Sequence, residues 1–69
     1  MFKVFNDVAV DTKKVAALYV DNVGLKNKMV YSVKAAMDNG DEWTLGEFGN
    51  KEEDAVKFLK EVATELNAQ

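Results

Sequence analysis

From residue 51 onward, apolar side chains return every three or four positions. Ala55, Phe58, Leu59, Val62, Ala63 and Leu66 therefore fall on one stripe of a helix, with charged residues on the opposite side. The spacing predicts an amphipathic helix over about 51–66. Asn50 followed by Glu53 has capping-box spacing, and Glu52, Glu53 and Asp54 place carboxylates in the first turn, where the helix dipole favours them.

The period changes to two in the middle of the chain. Around Asp38-Asn39-Gly40-Asp41 the alternation reads as a hairpin, and its register follows from the need to keep one face apolar. A two-residue Asn-Gly turn would split the apolar residues between both faces. A three-residue loop with Gly40 in the left-handed region instead pairs Met37 with Asp41, Ala35 with Trp43 and Val33 with Leu45. Tyr31, Val33, Ala35, Trp43 and Leu45 then share one face, with Tyr31 and Trp43 expected in a core beneath the helix. Ser32, Lys34, Glu42 and Thr44 face water. Beyond Leu45 the alternation fails, which marks Gly46 as a bulge or strand end that lets Phe48 swing under the helix start.

In the first third, Phe2 to Phe5 and Val8 to Val10 read as short strands joined at Asn6-Asp7. A further strand is entered through Asp11-Thr12-Lys13-Lys14. Both alternating sets of Val15 to Val20 are apolar, which implies a strand covered on both faces, in the sheet centre or at a subunit contact. Asp21 to Lys28, with Gly24 inside it, reads as a loop. The expected fold is α+β: an antiparallel meander of four to five strands, at about 2–5, 8–11, 15–21, 28–37 and 41–48, with the terminal helix packed on one face.

With 69 residues, a single domain spanning 1–69 is expected, and a core this small leaves stability marginal. Cys and His are both absent, so neither a disulfide nor a Cys/His zinc site can compensate. Self-association is the remaining route to extra burial, and a homodimer is the expected assembly. The candidate dimer or partner surface is Val15, Ala17 and Tyr19 on the doubly apolar strand. No motif specifies another protein partner.

Nine lysines, no arginine and twelve acids give a net charge of −3 and a pI near 4.8. That surface disfavours nucleic acid and anionic membrane, and the missing guanidinium removes the usual bidentate reader of phosphate and guanine. A cytoplasmic protein with neither a signal peptide nor a membrane span is expected.

No catalytic constellation stands out. The one serine, Ser32, has no histidine base. Asp38-Asn39-Gly40-Asp41-Glu42 lacks the spacing of a calcium loop, and Gly46 with Gly49 does not form a phosphate-binding glycine pattern. No enzyme activity and no cofactor is expected. The layout resembles that of many small bacterial and phage proteins in architecture alone, which transfers no functional residue.

The leading expectation is a non-enzymatic, self-associating protein-interaction module. One alternative is a weak single-stranded nucleic-acid binder on the open sheet face, with Tyr19 as stacking platform and Lys13, Lys14, Lys28 and Lys34 along the backbone. Another is an acidic phage-type mimic that presents Glu53, Glu61 and Glu65 to a basic protein.

Overall fold

The computed structural model describes residues 1–68. In chain order these form β1 (Phe2–Phe5), β2 (Val8–Asp11), a 3₁₀ turn (Thr12–Lys14), β3 (Val15–Leu25), β4 (Lys28–Met37), β5 (Glu42–Glu47) and α1 (Glu52–Asn67). The α+β class and the meander are as the alternation predicts. The strands divide into two sheets: a two-stranded ribbon β1–β2 and a three-stranded antiparallel sheet ordered β3–β4–β5.

The hairpin between β4 and β5 has the expected three-residue loop. Met37 N–H donates to the Asp41 carbonyl at 2.7 Å, Gly40 N–H donates to the Met37 carbonyl at 3.1 Å, and Gly40 has φ of +94°. This is the left-handed conformation that only glycine adopts freely. Ala35 pairs with Trp43 as expected, but Val33 pairs with Gly46 rather than Leu45. A bulge at Leu45–Gly46 sets two residues of β5 against one of β4, so both turn toward the helix. Leu45 is thereby buried in the core beside Val33 and Ala35. An added Cβ at Gly46 would lie 3.2 Å from the rings of Phe48 and Phe58, so the glycine makes room for that aromatic pair. The two rings pack with centroids 5.3 Å apart.

Four further expectations are corrected. Trp43 shares a face with Ala35 but lies beside the β1–β2 ribbon rather than beneath α1, and it remains 48% exposed. The segment Asp21 to Lys28 is not a loop: β3 continues to Leu25, and the chain reverses at Lys26-Asn27, where Lys26 takes φ of +55°. Gly24 is an ordinary strand position opposite Met29. Of the two places expected for β3, the sheet centre is excluded: β3 is a sheet edge, and Ala16 and Ala17 are exposed. The N-cap of α1 is Lys51, with no side-chain cap bond, so the Asn50–Glu53 capping box does not form.

The core gathers Phe5, Val10, Ala35, Leu45 and Val62, with Leu18, Met37, Phe58 and Leu66 packed against it. α1 covers β3 and β4 from one side, while the ribbon closes the end near β5. The ribbon is tied down where Asn6 Nδ2 donates to the Leu45 carbonyl at 2.5 Å.

Candidate interaction surface

The longest open feature is the outer edge of β3. Which of its backbone groups are free follows from the register. Tyr31 donates to the Gly49 carbonyl and accepts from Phe48 N–H, and Met37 bonds Asp41 and Gly40, so odd-numbered residues of β4 turn their backbone toward β5. Even-numbered residues of β4 consequently bond β3, where their partners Tyr19, Asp21, Val23 and Leu25 are odd-numbered. The backbone N–H and C=O groups of Leu18, Val20, Asn22 and Gly24 point away from the sheet. Among the described residues no strand pairs with this side of β3.

The sheet face opposite α1 is polar and internally paired. Lys34 Nζ lies 2.9 Å from Asp21 Oδ2, and the Tyr19 hydroxyl donates to Glu42. Ser32, expected to face water, is instead buried in the middle strand, flanked across the sheet by Asp21 and Glu47.

The residues expected to form a site are only partly brought together. Ala17 and Tyr19 share the open face, whereas Val15 turns toward the helix because a bulge at Ala16 shifts the register between them. Lys13 and Lys14 sit in the 3₁₀ turn, at the opposite end of β3 from Lys28, a span of about 30 Å at the usual rise per residue. Lys34 is neutralised by Asp21. These four lysines and Tyr19 therefore do not line one continuous track.

Asp11 caps the 3₁₀ turn. The N–H of Lys13 donates to its carboxylate at 3.2 Å and is the main reason that its pKa is lowered; the Met1 ammonium, 3.5 Å away, acts in the same direction.

Two exposed apolar surfaces lie outside the residues expected to form a site. The outer face of the ribbon presents Phe2 and Val4, 70% and 66% exposed, and Phe2 shares a groove of about 190 Å³ with Trp43. The far end of the β3–β4 hairpin extends past β5 and carries Val23, Leu25 and Met29 on its surface. The ribbon's surface was legible in principle, since Phe2, Val4 and Ala9 alternate with Phe5, Val8 and Val10 and so give the ribbon two apolar faces.

Among the described residues no group of three or more His, Cys, Asp or Glu side chains is placed to hold a metal ion. No helix there is long and apolar enough to cross a membrane. Comparison with protein-family models, with curated proteins and with solved structures found no match.

Proposed function

We propose that this chain is a non-enzymatic protein-interaction module that self-associates through the open edge of β3. One observation carries the reading: an eleven-residue edge strand whose outward backbone groups, from Leu18 to Gly24, have no strand beside them among the described residues. Such an edge is a template for antiparallel strand addition.

A two-fold axis normal to the sheet pairs residues on the same face, which limits the register. Centring the axis on Asp21 would oppose two carboxylates. Centring it on Tyr19 opposes two aromatic rings on the open face and sets Leu18 against Val20 of the second copy on the helix side, both with outward backbone groups. Ala17 then faces Asp21 of the second copy, so no like charges meet. Because α1 packs on both β3 and β4, this arrangement brings the two helices about 10 Å apart, the normal helix-packing distance. Ala63 and Leu66, which flank the groove at this edge, would lie in that contact.

Sedimentation velocity across a concentration series tests the reading. The wild type and Tyr19→Phe form a dimer, whereas Tyr19→Lys places two ammonium groups at the axis and leaves a folded monomer. A wild-type chain that stays monomeric, or a Tyr19→Lys chain that still dimerises, refutes it.

A further inference from the structure

The two exposed apolar surfaces carry opposite charge. The end of the β3–β4 hairpin, residues 22–30, contains no acid; it presents Val23 and Leu25 on the same face as Lys28, Met29 on the opposite face, and Lys26 at the reversal. The groove between Phe2 and Trp43 is bordered by Asp11, Asp38 and Asp41, with Lys14 as the cation on its rim. Asp41 and Asn39 hold the acidic loop in shape: Asn39 Oδ1 accepts from Asp41 N–H at 3.0 Å, and Asn39 Nδ2 donates to the Asp41 carboxylate at 3.1 Å.

The two surfaces cannot meet within one molecule. They lie at opposite ends of the β3–β4 hairpin, in a molecule whose longest dimension is 39 Å. Together they form a complementary pair of ends on one hairpin.

We infer that the lysine-flanked tip of the β3–β4 hairpin of one copy docks in the Phe2–Trp43 groove of a second copy. A cavity of about 150 Å³ holds a benzene molecule, so the groove has room for one branched aliphatic side chain, that of Leu25. Lys26 and Lys28 then face Asp38 and Asp41. The contact is head-to-tail: each copy offers a tip and a groove, so docking leaves one of each open at the ends of the assembly. It therefore continues into short chains or closes into rings, unlike the two-fold pairing of β3, which stops at two copies. It uses neither the β3 edge nor Tyr19 and stands apart from that reading.

The test uses charge reversal and mixing. Lys26→Glu/Lys28→Glu carries an acidic tip and an acidic groove, while Asp38→Lys/Asp41→Lys carries a basic tip and a basic groove. Sedimentation velocity is run at protein concentrations up to about 1 mM, where a contact with a millimolar Kd is substantially formed. In low salt the wild type sediments as species larger than two copies, and about 1 M salt, with a screening length of about 3 Å, removes them. Each reversed variant alone loses these species, with association at least roughly tenfold weaker, and the equimolar mixture regains them. Circular dichroism confirms that both variants are folded. Leu25→Ser, at an exposed position, supplies a second variant that loses the larger species without changing any charge. Absence of species beyond the dimer in wild type at low salt overturns the inference. So do reversed variants that assemble like wild type, or folded variants whose mixture does not assemble.

Discussion

The two halves of the β3–β4 hairpin share strands, register and alternation, yet they end in opposite environments. Near Val33 and Ala35, which are fully buried, a third strand lies alongside and α1 lies above. Toward Leu25 and Met29 the same two strands continue past the end of β5, and their apolar side chains stay in water. A two-stranded ribbon has no interior of its own, so burial comes from what is laid against it. The covered half holds the fold together, and the uncovered half supplies surface.

That contrast can be broken most severely at Leu45. Leu45→Ala removes a fully buried side chain at the bulge and is expected to cost about 2–5 kcal/mol. Leu25→Ala, at an exposed position of the projecting half, should stay within about 0.5 kcal/mol. Urea unfolding of both variants measures the difference directly. A cost at Leu25 comparable with that at Leu45 would mean that the projecting half is covered after all.

Gly46→Ala sharpens the contrast by overfilling the covered half. Its methyl group would meet the rings of Phe48 and Phe58 at 3.2 Å, and a loss of about 1–3 kcal/mol is expected, read from the same unfolding curves. In the uncovered half the sign reverses. Lys26 holds a left-handed backbone that asparagine tolerates better, so Lys26→Asn should raise stability by about 0.5–1 kcal/mol. Amide hydrogen exchange offers an independent reading: Val33 and Ala35 should exchange more slowly than Asn22 to Val30.

The smallest effect is the pH dependence at Asp11. Its folded pKa is lowered, chiefly by the bond from Lys13 N–H, so its contribution is complete above the ordinary carboxylate range. The contribution disappears as pH falls through the folded pKa, in the more acid range. Asp11→Asn should flatten that acid limb of the stability profile slightly and leave neutral pH nearly unchanged in shape.

Several of these features were readable along the chain, and the reasons are local. The loop at Asp38–Gly40 combined turn-forming residues with an alternation that tolerates one register, and Ala35 does pair with Trp43. The helix stripe was equally plain: Ala55 and Val62 are its buried positions. The length of β3 was harder to see, because Gly24 suggested a loop and the reversal falls on Lys26, an unusual residue for a positive φ. The edges of the proposed interaction surface shared that fate. Ala17 and Tyr19 lie on one face, but a bulge at Ala16 carries Val15 to the other, and in a stretch whose two alternating sets are both apolar a bulge leaves no mark in the pattern.

Periodicity by itself determined which elements form and which side chains share a face, since those depend on neighbours two to four residues apart. Only the tertiary structure decided which face is covered, how far across the sheet the helix reaches and which strand is left at the edge. Trp43 shows the physical reason: it occupies the expected face, yet its burial depends on its sideways position among separate elements, which no spacing along one strand encodes.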